Sequence, residues 1–123
     1  GETNFLEGEI ATANGQPVAR LKCGGTLKLN GAAADGTGPV TLAVRPERAA
    51  LVPAGGAGSE GGLPARVGAV VYMGTDTTYH LTLADGTPFV VRSQNNEGAR
   101  LDLVSGAEVT VQIAPAALQR LAD

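Results

Sequence analysis

The chain has 123 residues, the length of one domain, and a formal net charge of −3 with no basic stripe and only 3% aromatic residues, which excludes the usual electrostatic and stacking footprint of a nucleic-acid binder. Apolar residues make up 43% and charged ones 17%, the balance of a globular domain whose core has to be built from Val, Leu, Ile and Ala. A single cysteine, Cys23, rules out an internal disulfide and fits a reducing compartment, and no apolar run is long enough for a membrane-spanning helix or shaped like a signal peptide.

Asn4 to Ala13 reads as a first strand, with Leu6 and Ile10 on one face and Glu7 and Glu9 on the other. Asn14-Gly15 is a hairpin turn signal, and Val18 to Leu21 would return from it. Cys23-Gly24-Gly25 interrupts the strand, Thr26 to Leu29 resumes it, and Asn30 to Gly38 forms a turn-rich loop. Then comes VTLAVRPERAALV, Val40 to Val52, in which Val40, Leu42 and Val44 share a face and Pro46 closes the strand for want of an N–H. This unit recurs as VTVQIAPAALQRL, Val109 to Leu121, with Pro115 at the matching place and a tail that suggests one or two helical turns. The recurrence predicts two related half-domains, residues 4–52 and 63–121, in one domain, with the Gly-rich stretch 53–62 as a mobile loop between them.

In the second half, Ala65 to Met73 reads as a strand with Val67, Ala69, Val71 and Met73 on one face. Thr77 to Leu83 alternates more clearly: Tyr79, Leu81 and Leu83 face in, Thr78, His80 and Thr82 face out. Asp85-Gly86 turns the chain into Pro88 to Ser93, and Ser105-Gly106 leads into the last strand. Seven or eight short strands with glycine-rich turns point to an all-β barrel or sandwich.

Few residues carry chemistry. Gly56-x-Gly58-x-x-Gly61 has the spacing of a dinucleotide fingerprint but neither the strand before it nor the helix after it, so it reads as a loop. No phosphate-binding lysine loop of the nucleotide-hydrolase type occurs. His80 has no acid or cysteine near in sequence to form a metal pattern and Cys23 no paired cysteine, which makes a surface histidine and a small buried thiol the simpler readings. Asp76, Asp85 and Asp102 fall at turns, where the side chain bonds local backbone. Arg45, Glu47 and Arg48 flank Pro46; they form either a solvated, self-paired cluster or a polar interface to another domain, for which arginine's bidentate donors are suited. No spaced constellation of His, Cys, Ser and carboxylates supports an enzyme.

With these residues in view, VTLAVRPERAALV resembles the strand and Arg-Pro-Glu signature of the TOBE, or MOP-like, regulatory domain at the C-terminal end of ABC importer ATPases. GETNFLEGEI is similar to the segment that leads into that barrel, most of all in the spermidine/putrescine branch. Val67 to Gly74, Tyr79 to Leu83, Asp85-Gly86 and Gly106 to Pro115 extend the resemblance over the whole chain.

The resemblance implies an OB-like or MOP-like small β-barrel with strands exchanged or packed across a homodimer. It implies a regulatory and dimerisation role, with no catalytic motif of its own, in an ATP-binding subunit that uses ATP and magnesium on the cytoplasmic side of the inner membrane. The nucleotide-binding domain would precede Gly1, consistent with a start that lacks Met, and the partners would be that domain, the permease subunits and a small-molecule regulator, with no nucleic acid. Arg45, Pro46, Glu47 and Arg48 would lie at the interdomain junction. Gly74, Thr75, Asp76, Thr78, Arg92, Ser93 and the residues on to Asn96 would line a regulator pocket. Ala116 departs from the acid that relatives often carry after the second proline. The alternative is a free-standing barrel that binds a small oxyanion.

Overall fold

The computed structural model describes residues 2–56, 58–94 and 103–121. Among them the chain forms ten strands and three short 3-10 turns, and no α-helix. The strands are β1 (Asn4–Ala13), β2 (Gln16–Leu21), β3 (Thr26–Lys28), β4 (Gly38–Val44), β5 (Ala49–Pro53), β6 (Leu63–Tyr72), β7 (Asp76–Leu83), β8 (Pro88–Gln94), β9 (Glu108–Ile113) and β10 (Gln119–Arg120).

They assemble into two five-stranded sheets, ordered β10-β4-β1-β2-β3 and β5-β9-β6-β7-β8. Every pairing within them is antiparallel. The two orders are the same pattern written twice, with one exchange. Strand β5 follows β4 in sequence but pairs with β9, Ala49 opposite Ile113 and Leu51 opposite Val111. Strand β10 follows β9 but pairs with β4, Gln119 opposite Ala43 and Arg120 opposite Leu42. Each crossing is made at a proline-led 3-10 turn, Pro46–Arg48 and Pro115–Ala117, whose first residue needs no N–H partner. The exchange therefore takes place between the two halves of a single chain.

The inward faces of both sheets meet in one core. Leu6, Leu42, Val44, Leu63, Val67, Phe89, Val91, Val109 and Val111 are all buried in it. Each such side chain gains about 1.5–3 kcal/mol over exposure. The β1–β2 hairpin forms as its sequence dictates: Asn14 (φ 52) and Gly15 (φ 77) occupy the two left-handed positions that an Asn-Gly turn supplies.

The structure corrects several expectations. The apolar tails after Pro46 and Pro115 are strands β5 and β10, and helical geometry after Pro115 lasts only to Ala117. Pro53 ends β5 rather than opening the loop. In β6 the register slips between Val67 and Val70, a bulge. Beyond it the alternation inverts, because one extra residue turns every later side chain to the other face. Ala69, Val71 and Met73, expected inside, are exposed, Met73 to 63%. At the bulge β6 leaves β9: the Val67 N–H bonds Ala107 O at 2.8 Å, and Gly106 N–H bonds Val67 O at 2.7 Å. Thr78, expected on the open face, is buried. It sits in the ladder between Val71 and Arg92, and cross-strand neighbours share a face and cover it. Asp102, Asn95 and Asn96 lie outside the described residues.

Gly8 shows how closely β1 and β2 approach. A Cβ there would lie 2.3 Å from the carbonyl oxygen of Arg20. The backbone would have to shift to admit it, so Gly8→Ala is expected to destabilise the domain by about 1–3 kcal/mol in urea unfolding. An unchanged midpoint would show that β1 and β2 part without cost.

Candidate functional site

The Pro46 turn places three charged side chains on the surface at the point where the chain crosses between sheets. Pro46 is buried, while Arg45, Glu47 and Arg48 are exposed. The turn is closed by Arg48 N–H bonding Arg45 O at 2.9 Å. Among the described residues the ion pairs are Lys22 with Glu7 at 3.7 Å and Arg66 with Glu108 at 3.3 Å, so the cluster is not self-paired. The turn packs against β8, the strand that carries Arg92 and Ser93.

The other candidate residues gather at one end of the β7–β8 ladder. Thr78 stands opposite Arg92, Thr77 opposite Ser93 and Asp76 opposite Gln94. Gly74 and Thr75 form the preceding turn, in which Thr75 N–H bonds Met73 O at 3.0 Å and Met73 N–H bonds Asp76 O at 2.7 Å. The ladder brings these residues together. Thr78, buried, is the one that offers least to a ligand.

Sequence reasoning passed over Asn4. Its side chain reaches across to β8 and makes two bonds with one residue: Nδ2 donates to Val90 O and Oδ1 accepts from Val90 N–H, each at 2.8 Å. A carboxamide at this point does what a neighbouring strand would do, satisfying the outward N–H and C=O of edge strand β8. The available signal was a polar residue at an inward position of β1, in phase with Leu6.

Cys23 and Asp85 sit at matching places in the two halves, each just after the strand that pairs with β1 or β6. The surrounding turns share their bonds: Leu21 N–H to Gly25 O and Gly24 N–H to Leu21 O in one, Leu83 N–H to Thr87 O and Gly86 N–H to Leu83 O in the other. Both residues line one surface groove with Phe5, Lys22 and Leu121. Burial raises the Cys23 thiol above its ordinary value of 9.0, and the charge of Asp85 adds to the rise. Asp85, fully exposed, is held below the usual carboxylate range by its hydrogen bonds with Thr87, whose N–H it accepts at 2.9 Å. Among the described residues no three His, Cys, Asp or Glu side chains group as a metal site. No helix there is long and apolar enough to cross a membrane.

Residues 42–121 match the TOBE domain family. The chain belongs to that family. This TOBE domain is 40% identical over its whole length to the spermidine/putrescine import ATP-binding protein PotA of Ruegeria pomeroyi, and covers 32% of that protein. It is 39% identical, again over its whole length, to the protein of the same name from Mesorhizobium japonicum, covering 33% of it. To the Pseudomonas aeruginosa PotA 1 it is 41% identical over 81% of the chain. The domain thus spans about a third of the length of the curated relatives it matches in full. Its fold is that of the cytoplasmic molybdate-binding protein ModG, solved with molybdate bound: the TM-score is 0.76, with 95% of this chain and 94% of that one covered at 17% identity. The OB-like, all-β architecture is thereby shown, and the family matched is a TOBE domain rather than a catalytic one.

Two outcomes are expected. Asn4→Ala removes both partners of the Val90 backbone and should cost about 1–3 kcal/mol in chemical unfolding, because a part-buried N–H and C=O lose their bonds. A loss no larger than that of an exposed substitution would show that water replaces the side chain freely. For Cys23 the raised folded value means that its contribution is fully present below 9.0 and is lost as pH rises through the folded value. Thiol labelling at pH 8 should therefore be slow in the native protein and fast in denaturant; native labelling at the rate of a free thiol would contradict the burial.

Proposed function

We propose that this TOBE domain is the regulatory and dimerisation module of the ATP-binding subunit of an ABC importer for polyamines. The observation that carries the reading is the similarity, end to end, to two proteins named as spermidine/putrescine import ATP-binding proteins. In this role the barrel holds two subunits together while their nucleotide-binding domains, working with ATP and magnesium, open and close against the permease subunits on the cytoplasmic face of the inner membrane. Arg45, Pro46, Glu47 and Arg48 form the junction with the nucleotide-binding domain. Two features support this: the charges are exposed and unpaired by one another, and the buried proline fixes the turn that presents them. Such charges cost little in the isolated domain and are free to pair bidentately with a partner. A regulator bound among Gly74, Thr75, Asp76, Thr78, Arg92 and Ser93 would act by preferring one state of the assembly, since only a differential affinity moves an equilibrium.

A second reading, a free-standing oxyanion-binding barrel, draws on the likeness in fold to ModG. Titration calorimetry with molybdate and sulfate separates the two. Heat that saturates would favour the binding barrel; its absence would favour the transporter module.

The test of the leading reading is made in the full-length subunit carrying this domain. Glu47→Lys should change domain stability by no more than about 0.5 kcal/mol, as an exposed substitution does, while polyamine-stimulated ATP hydrolysis and uptake fall. Uptake at the level of the unmodified subunit, with the isolated domain a monomer by light scattering, would overturn the junction and dimerisation roles together.

A further inference from the structure

The two halves are related residue by residue through their strand registers. Leu6 faces Leu42 as Leu63 faces Val111. Gly8 faces Leu21 as Ala65 faces Leu83, and Ala19 faces Leu27 as Leu81 faces Phe89. Val90 corresponds to Lys28 along the strands and Pro46 to Pro115; counting back from Leu63, Asn4 corresponds to Gly61, in the turn two residues before β6.

The clamp described above exists in one half only. In β8 the Leu83–Thr87 bond sets the phase of the ladder, so that the N–H and C=O of Val90 point away from β7 and into the side chain of Asn4. In β3 the phase is the same. Leu21 N–H bonds Gly25 O at 3.0 Å and Leu29 N–H bonds Pro17 O at 3.1 Å, so the N–H and C=O of Lys28 point away from β2. Gly61, the residue in Asn4's place by count, lines the same groove as Lys28 and has no side chain to offer. Among the described residues nothing bonds this pair.

A second difference accompanies the first. The Pro46 turn and β5 pack against β8, whereas the Pro115 turn and β10 make no contact of that extent with β3. Between them lies an open groove of about 840 Å³, lined among others by Lys28, Arg48, Glu60, Gly61, Gln112 and Pro115. Gln112 is already engaged, its Nε2 donating to Gly58 O at 2.5 Å and Glu60 O at 3.0 Å, and it holds the wall of the groove in place.

We propose that this groove is a binding site for a carboxamide-bearing amino acid of the glutamine or asparagine type. Its carboxamide takes the place that Asn4 fills in the other half, accepting from Lys28 N–H and donating to Lys28 C=O. The same groove carries a cation, Lys28, and an acid, Glu60, outside the proposed junction, a set that suits an α-carboxylate and an α-ammonium. An amino acid with a side-chain carboxylate lacks the N–H donor and would turn an oxygen towards the Lys28 carbonyl, leaving both acceptors unpaired. The site thus separates amide from acid by the mechanism that already operates between Asn4 and Val90. It lies apart from the Gly74–Ser93 ladder and does not depend on which solute the parent protein moves.

The test is a titration of the 123-residue chain with L-glutamine and L-asparagine, followed at the Lys28 backbone amide by NMR, with L-glutamate and L-aspartate as controls. The amides are expected to shift the Lys28 resonance saturably and the acids to leave it in place. Gly61→Asn should supply the missing clamp: Gly61 has φ +73, a conformation asparagine tolerates, and a Cβ there meets no atom within 4 Å. That variant is expected to bind glutamine at least tenfold more weakly. If Gly61→Asn does not fold, Lys28→Pro serves instead. It removes the outward N–H at an edge position where proline is accepted, and should abolish the glutamine shift at neighbouring amides. No shift with either amide, an equal response to the acids, or glutamine binding that survives the folded variant would each overturn the proposal, whatever the outcome of the transport assays.

Discussion

Strand exchange at the two proline turns is the constraint on which the rest of the molecule depends. A five-stranded sheet closes in each half only because the other half delivers its last strand, β5 to one sheet and β10 to the other. Pairing Ala49–Pro53 against β9, and Gln119–Arg120 against β4, covers what would otherwise be edges of β9 and β4 lying next to the core. It also fixes where the surface charges appear. Arg45, Glu47 and Arg48 stand at a crossing held at both ends by strands of different sheets, so a force applied there is transmitted to both.

Local pattern made much of this legible. The alternation of Thr77 to Leu83, the Asn14-Gly15 and Asp85-Gly86 turns and the recurrence around Pro46 and Pro115 each have a short-range cause, and each leaves a readable trace. What escaped has a long-range cause. Strands β5 and β10 are five and two residues long, and their partner lies in the opposite half. No property of Ala49–Pro53 alone distinguishes a strand from a tail. The bulge in β6 had a trace in Gly68, a glycine inside a strand, but its effect on Ala69, Val71 and Met73 follows from counting residues past it. The charged cluster was visible as residues; whether it paired with itself was a question of geometry. Asn4 looked like a leading polar residue until β8 was placed beside it.

The departures from two-fold equivalence are few and local. Gly8 answers to Ala65, Cys23 to Asp85, and Asn4 to Gly61, while the bulge after Val67 has no counterpart in β1. Core positions change little across the same relation, as Leu6 with Leu63 and Leu42 with Val111 show. Burial restrains the centre of the fold, because a methylene lost or added there costs on the order of 1 kcal/mol or more, whereas edges and turns are free to diverge. Two originally similar faces can thereby take up different work: one sealed by its own carboxamide, the other open.

The exchanged strands also bear on how such a molecule can arise. A chain of half this length, ending after its own crossing strand, would hold a sheet lacking one member and a spare strand with nowhere to lie. A second identical chain supplies both needs at once, so a swapped pair of half-length chains would make the same pattern of strand pairings. Gene duplication and fusion would convert that pair into a single polypeptide without altering one strand contact, relieving it of any dependence on concentration. Freed from identity, the halves could then accumulate differences such as Asn4 against Gly61, which no symmetric pair can hold.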